Sequence, residues 1–433
     1  MDKKQEIIEI FSAGLEGANP EKLVYKNIVL LGDQLKIGEV FIELSKIRHV
    51  HVVGFGKASA LMARALETIL GNRIEKSCVI TKYGHGLALK QVKIVEAGHP
   101  LPDKNGVLAT DEIFSIVKNA REDDLVICLI SGGGSALFTD IPEGSSIEDL
   151  MALNTLLLKV GASIEEINCI RKHLSKVKGG LLSKVAYPAR VFSLILSDVI
   201  GNSPSTIASG PTAPDPTTFK DAVSILNKYG IADKVPVQLY KILQQGLDKK
   251  REETLKESDE VFRRTTNLII GSNKMALERA KERAMALGYT SLVVKDDFSE
   301  DVTQVAESIL EEAKKVNTIK TCLLFGGEPT VVVTGDGLGG RNQHLALIMS
   351  VLLKDYPNIT MMSGGTDGTD GPTDAVGAVV DSTTVEHAEA LGVDINKHIN
   401  DFDSYHFFKK EGGWIRTGPT QTNVMDIMIT LIN

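Results

Sequence analysis

The residues best suited to chemistry sit in glycine-rich segments that directly follow apolar runs. Residues 52–59 read VVGFGKAS, and residues 131–138 read SGGGSALF. Glycine lets backbone N–H groups approach an anion, and a helix N-terminus adds positive potential. Gly54 and Gly56 in the first segment, and Ser131, Gly132, Gly133, Gly134 and Ser135 in the second, are therefore candidate phosphate cradles. The first segment also reads as a plain strand-to-helix turn. Its Lys57 adds a reason to expect a ligand, because a cation at the first turn of a helix opposes the helix dipole and asks for an anion. The same argument applies to Arg341, which opens a helix at the end of GDGLGGRNQ (335–343), with Asn342 beside it. Ser135 is read as a helix cap or phosphate donor. A nucleophile elbow would need a glycine two residues further on, where Leu137 stands.

Other segments offer charge. Residues 167–182, INCIRKHLSKVKGGLL, concentrate Arg171, Lys172, His173, Lys176 and Lys178 in an acidic protein. Helical spacing puts Arg171 and Lys178 on one face, either a solvated basic surface or a site for carboxylate or phosphate. Asp198 ends a buried strand in SDVIGNSPSTIASGPT (197–212), and Glu328 does so in GGEP (326–329). Asp367, Asp370 and Asp374 punctuate SGGTDGTDGPTD (363–374). Hard oxygen ligands on a loop suit Mg²⁺ with nucleotide phosphates, and a solvated acidic turn is the plainer reading. With Asp198, these acids form the candidate metal set.

The elements that must hold these loops alternate between strand and helix. Residues 49–53, 77–81, 125–130 and 191–196 read as strands, and residues 58–70 and 105–120 as helices. The pattern then restarts with strand 267–270, a helix to Leu287, and strands at 289–294 and 321–325. Such alternation predicts βαβ units and mostly parallel sheet. The run DKKREETLKESDE (248–260) reads as a solvated helix or linker, which divides the chain into an N-terminal domain, 1–258, and a C-terminal one, 259–433. The apolar run 423–429 is a strand that either sheet can accept.

With 433 residues, 43% of them hydrophobic, the chain has ample core for two domains. A net charge of −8 argues against nucleic acid and anionic membrane surfaces as partners. No apolar run approaches a membrane span or a signal sequence, so a cytoplasmic location is expected. Cys78, Cys128, Cys169 and Cys322 are widely spaced, as buried structural thiols would be. No GxxxxGK[ST] motif occurs, and GxGxxG is incomplete because Ser59 holds its last position.

Together, GFGKAS, SGGGSALF, RKHLSKVKGG, SDVIGN with ASGPT, GGEPTV, GLGGRNQ and GGTDGTDGPTDAVG resemble, in this order, the glycerate 2-kinases of the MOFRL (multi-organism fragment rich in leucine) family. The resemblance spans residues 50 to 430. It implies an α/β protein with a Rossmann-like, mostly parallel N-terminal domain, a smaller C-terminal α/β domain and an active site in the cleft between them. It also implies ATP- and Mg²⁺-dependent phosphorylation of the 2-hydroxyl of D-glycerate to 2-phosphoglycerate. Lys57 and Arg341 then stand at the family's catalytic lysine and arginine, and Asn202 stands where an acidic residue is common. A monomer or homodimer is expected. The competing readings are a hydroxypyruvate reductase using NAD(P)H and a non-catalytic small-anion binding protein.

Overall fold

Short apolar runs covered on both faces become the central strands of this structure, a computed structural model that describes residues 2–433. Its two units comprise residues 20–270, and residues 2–19 with 271–433.

The 20–270 unit begins with an antiparallel meander, Ile28–Leu31 (β1), Gln34–Ile37 (β2) and Val40–Glu43 (β3). Its main sheet contains Val50–Phe55 (β4), Ile74–Lys82 (β5), Ile94–Ala97 (β6), Leu125–Ile130 (β7), Arg190–Leu196 (β8) and Thr265–Gly271 (β9). The order is β6-β5-β4-β7-β8-β9, with parallel pairing from β6 through to β8. Every residue of β4 and β7 is buried, as their unbroken apolar character requires. Strand order reverses between these two neighbours. Connections leaving their carboxyl ends therefore diverge, and the crevice between them is the usual ligand position in an open α/β sheet. GFGK leaves β4 there, and SGGGS leaves β7.

A second core in this unit is helical. Helices Ile147–Lys159, Ile164–His173, Phe219–Lys228 and Val237–Leu247 bury Leu157, Ile170, Leu226 and Leu243 against one another. The first three start with capping boxes, Ser146 with Asp149, Ser163 with Glu166, and Thr218 with Asp221. Each box satisfies helix N–H groups that would otherwise lack partners.

The charged run 248–260 is not the division. It straps the 20–270 unit: Thr254 and Leu255 are buried, Asp215 N donates to Leu255 O at 2.8 Å, and Lys256 Nζ donates to Asp215 O at 3.0 Å. Its charges are spent on local partners, among them His173 with Glu253 at 3.2 Å. The units instead part at residue 270.

The other unit carries Thr290–Phe298 (β10), Thr321–Gly327 (β11), Ile359–Gly365 (β12), Gly377–Asp381 (β13), Trp414–Ile415 (β14) and Asp426–Ile432 (β15). The order is β10-β11-β15-β12-β13-β14, and only β10 with β11 runs parallel. The final strand thus lies at the centre of this second sheet, with all seven residues buried. Helix Lys3–Gly17 belongs to this unit, not to the N-terminal domain in which the sequence pattern placed it. It buries Ile7, Ile10 and Phe11, and its Gly14 lies so close to β15 that a Cβ there would come within 2.9 Å of Ile427 Cδ1. Burying each large apolar side chain contributes roughly 1.5–3 kcal/mol, and this holds the helix to the sheet. All four cysteines are buried and free. Among the described residues, no helix is long and apolar enough to cross a membrane.

Candidate active site

At the β4/β7 crevice the two glycine loops are laced together. Ser131 N donates to Phe55 O at 3.1 Å, Lys57 N to Gly132 O at 2.9 Å, and Ala58 N to Ser131 Oγ at 3.0 Å. Beneath them Phe55 and Phe138 stack with ring centroids 4.0 Å apart. Gly56 has φ +129°, and a Cβ on it would lie 2.2 Å from Ser131 Oγ, so no other residue lets the loops close this tightly. Gly133, at φ +81°, is wedged between side chains: its Cβ would meet His99 Nε2 at 2.9 Å and Lys57 Cγ at 3.3 Å. The Lys57 stem therefore runs alongside the SGGGS loop, as a phosphate-cradle reading of GFGK and SGGGS needs. Gly54 packs against Leu129 at the end of β7, and Gly134 opens the short helix Gly134–Leu137.

Ser135 neither caps that helix, a position held by Gly133, nor meets a base. Ser209 donates to Asn168 Oδ1 at 2.9 Å, which leaves Ser135 Oγ to donate to Ser209 Oγ at 3.0 Å. Among the described residues Ser135 Oγ has no titratable partner, so a nucleophilic role lacks its activating group. Ala208 and Ser209 carry φ +51° and +61°. Left-handed backbone at such residues costs on the order of 1–3 kcal/mol each and clusters at ligand clamps.

The basic cluster resolves into side chains with and without an acidic partner. Lys172 pairs with Asp215 at 3.2 Å, His173 with Glu253 at 3.2 Å, and Lys176 with Asp111 at 2.9 Å. Arg171 and Lys178 meet no carboxylate within ion-pair distance among the described residues. The helix stops at His173, so these two do not share a helical face. A turn brings both to one pocket that Ser135 also lines. Burial draws the Arg171 guanidinium below its ordinary value and pulls Lys178 down to about 8. On the loop after β8, Asp198 is half-buried, and Asn202 occupies a left-handed turn at φ +53°, a conformation asparagine tolerates better than most residues.

In the other unit, Arg341 begins helix Arg341–Leu352, and its counter-anion is already in the protein. Arg341 Nε and Nη2 donate to the two carboxylate oxygens of Asp426 at 2.6 and 3.0 Å, and Nη1 lies 2.9 Å from Glu328 Oε1. Asp426 is 1% exposed. The anion that a cation at a helix start requires is here the first residue of β15. Nor is the helix N-terminus open. Asp370 caps it, accepting from Asn342 N at 3.0 Å and Gln343 N at 2.8 Å, and from their side-chain amides at 3.2 and 3.0 Å. Burial raises Asp370 to about 6 against those four donors. Asn342 also accepts from Ser363 Oγ at 2.6 Å, which makes it a brace between helix and β12.

Within the 363–374 loop the acids proposed to hold a metal do not converge. Asp370 is a helix cap. Asp374 takes Tyr405 Oη at 2.9 Å and Arg416 at 3.1 Å, and Asp367 Oδ1 accepts from Thr369 N at 3.2 Å. Among the described residues, the only three His, Cys, Asp or Glu side chains that converge at metal-binding spacing are His49, His51 and Asp124. These lie at the amino ends of β4 and β7, away from the glycine loops, and Arg48 Nε already donates to Asp124 at 2.9 Å. Asp367, Asp370 and Asp374 therefore do not form a cage for a magnesium ion among themselves. The loop carboxylates serve their own turns and the adjoining helix.

Ser209, Asn168 and Asp426 are not singled out by the sequence pattern. Ser209 stands inside the 197–212 segment, whereas Lys178 is already part of the basic cluster read as a solvated face or an anion site. Asp426, an acid at the head of an otherwise apolar strand, was a legible signal of a buried charge seeking a partner.

Fold and clusters together define a two-unit α/β protein with interlaced glycine loops at a sheet switch point. Residues 6–244 match a family described as a domain of unknown function, DUF4147, and residues 321–426 match the MOFRL family. A glycerate 2-kinase from Pyrococcus horikoshii is 40% identical over 100% of this chain and 98% of its own length. A crystal structure of glycerate kinase from Thermotoga maritima superposes with TM-score 0.87 at 38% identity, covering 99% of both chains. A putative hydroxypyruvate reductase from Agrobacterium vitis is 37% identical over 99% of this chain and 94% of its own length. The chain belongs to the MOFRL-type glycerate 2-kinase family.

Proposed function

We propose that this protein transfers the terminal phosphoryl group of ATP to the 2-hydroxyl of D-glycerate, giving 2-phosphoglycerate and ADP. The observation that carries the reading is the end-to-end similarity to a glycerate 2-kinase, 40% identical over the whole chain. Support comes from two interlaced glycine loops at the β4/β7 switch point, of a kind suited to phosphate, and from a lysine stem beside one of them. Phosphoryl transfer asks a protein mainly for positioning and for cations that meet charge developing on the phosphoryl oxygens. Lys57 and the amides of Gly132, Gly133 and Gly134 are proposed for that work in the 20–270 unit, with Gly54, Gly56, Ser131 and Ser135 shaping the cradle. Arg341 is proposed as a second catalytic cation. Three of its five donors are held by Asp426 and Glu328, which fixes the guanidinium plane and leaves two donors for a ligand oxygen. Asn342 and Asp370 hold the helix that presents it. Magnesium is proposed to arrive with the nucleotide, coordinated largely by phosphates and water. Asp198 and Asn202, on the loop after β8, are proposed as ligand-side residues.

The reductase name of the Agrobacterium relative favours a second reading, but the loop opposes it. Ser59 holds the last glycine position of a dinucleotide fingerprint, and its hydroxyl lies 2.7 Å from Gly56 O and 2.9 Å from Ile80 O. A coupled ADP-release assay across small hydroxy acids, run beside an NADH-oxidation assay with hydroxypyruvate, separates the readings. ADP release confined to glycerate supports the kinase. NADH oxidation without ADP release supports the reductase, and neither signal leaves only anion binding.

A further inference from the structure

The pocket beyond Ser135 sets two cations, Arg171 and Lys178, against a single lining acid, Asp140, and that excess of positive charge points to an anionic ligand. Ser135, Asn154, Leu157, Arg171, Ser175 and Lys178 line it, and its volume is about 80 Å³. Pockets that enclose larger ligands run to roughly 300–1,000 Å³, so this one takes a fragment-sized guest. Arg171 gives one hydrogen bond, to Asn154 Oδ1, and Lys178 gives one, to the Phe138 carbonyl. The remaining donors of a five-donor guanidinium and a three-donor ammonium are uncommitted. Lys178 is 5% exposed. Unpaired cations in so dry a place are costly unless an anion joins them. The one acid in the lining, Asp140, forms no ion pair with either cation and accepts from Ser175 Oγ and from Lys176 N at 2.7 Å, so it offsets only part of their charge. The leucine walls lower the local dielectric and strengthen any charge pair formed inside.

We propose that this pocket is the carboxylate subsite for the hydroxy-acid substrate, with Arg171 and Lys178 gripping the carboxylate and Ser135 facing the hydroxyl-bearing carbons. The proposal rests on the kinase reading for the identity of the acid. A three-carbon acid suits the volume, and a whole nucleotide does not. The guest's far end then points along the SGGGS loop, whose Gly133 borders Lys57. Protonation gives a second signature. The groups facing Lys178 are Asp140 and Arg171. A lysine drawn down to about 8 is partly neutral in mildly alkaline solution, and a bound carboxylate restores its charge. Binding therefore takes up protons above about pH 8, and affinity weakens as pH rises through that range.

The test is calorimetric titration of the full chain with D-glycerate in buffers of different ionisation enthalpy, together with steady-state kinetics. Expected are saturable binding of D-glycerate, none of glycerol, and proton uptake near pH 8. Arg171→Ala should weaken D-glycerate by about 100-fold, as loss of a charged hydrogen-bond pair does, while the KM for ATP stays within a few-fold. Arg171→Lys should fall between, and Lys178→Met should abolish the proton uptake. Because Arg171 has no carboxylate partner, its variants should keep the wild-type melting temperature. Absence of D-glycerate binding to the wild type, with or without nucleotide, overturns the proposal. So does a rise in the KM for ATP with D-glycerate unaffected, which assigns the pocket to the nucleotide. Binding without any ADP formation upholds the pocket and removes the kinase reading instead.

Discussion

Replacing Arg341 with alanine separates what the helix dipole implies from what the structure implies. On the dipole argument alone, a cation at a helix start is a cost, and its removal should leave the melting temperature unchanged or raise it. In the structure Arg341 is the cation paired with Asp426, whose side chain is 1% exposed while that of Arg341 is 32% exposed. Removing one member of a buried pair costs about 3–5 kcal/mol, because the other charge is left uncompensated. Water reaches the guanidinium side, so the lower end applies, about 3 kcal/mol. In a unit of roughly 180 residues each kcal/mol moves the melting temperature by about 2–4 °C, so the fall should be about 6–12 °C. The assay is calorimetric melting with chemical denaturation on Arg341→Ala, Asp426→Ala and the double variant. The double variant should be less destabilised than the sum of the singles, by about 2 kcal/mol, because the second deletion removes a charge already stranded. Additive singles, or a fall under about 2 °C for Arg341→Ala, would refute the buried-pair reasoning and leave only the dipole argument.

The same geometry fixes the remaining outcomes. Lys57→Ala should lower kcat by roughly 10²–10³-fold with little change in melting temperature; a rise in KM alone would mark uniform binding instead. Asp370→Ala strips the cap from helix Arg341–Leu352 and should destabilise by about 1–2 kcal/mol, whereas Asp374→Asn should leave both stability and the Mg²⁺ dependence of activity nearly unchanged. Because burial lifts Asp370 to about 6 in the folded state, above its unfolded value, its contribution to stability is full at low pH and is lost as pH rises through about 6. That slope should flatten in Asp370→Asn when unfolding is followed from pH 4 to 8. Chelation should abolish activity and Mg²⁺ restore it, yet the nucleotide-free protein should show no tight Mg²⁺ binding by calorimetry, since among the described residues no group of three acids converges to hold it.

Much of the frame was legible because periodicity and turn chemistry are local. Leu125–Ile130 reads as a buried parallel strand and is one, and residues 58–70 read as a helix where Ser59–Leu70 is found. What the sequence left open depends on contacts across long stretches of chain. Nothing local tells β15 to insert between β11 and β12, or helix Lys3–Gly17 to join a unit more than 250 residues away. The run 248–260 misled because its charges look solvated until Asp215, Thr217 and His173 arrive to meet them. The site shows the same division. Glycine loops and their cations were visible from residue type and position. Which cation already owned an acid was not: Arg341 looked exposed to its helix dipole but is held by Asp426, while Arg171 and Lys178 looked like one helical face and meet through a turn. The aspartates of 363–374 looked like a metal set because their spacing is regular, and that spacing belongs to the turns they cap.

The most direct test of the central claim is ³¹P NMR of the full-length protein with D-glycerate, ATP and Mg²⁺. The account predicts one new phosphomonoester, 2-phosphoglycerate, formed in step with ADP and absent when Lys57→Ala replaces the wild type at equal concentration. A 3-phosphoglycerate signal, or ATP left intact beside D-glycerate while NADH is oxidised by hydroxypyruvate, would contradict it.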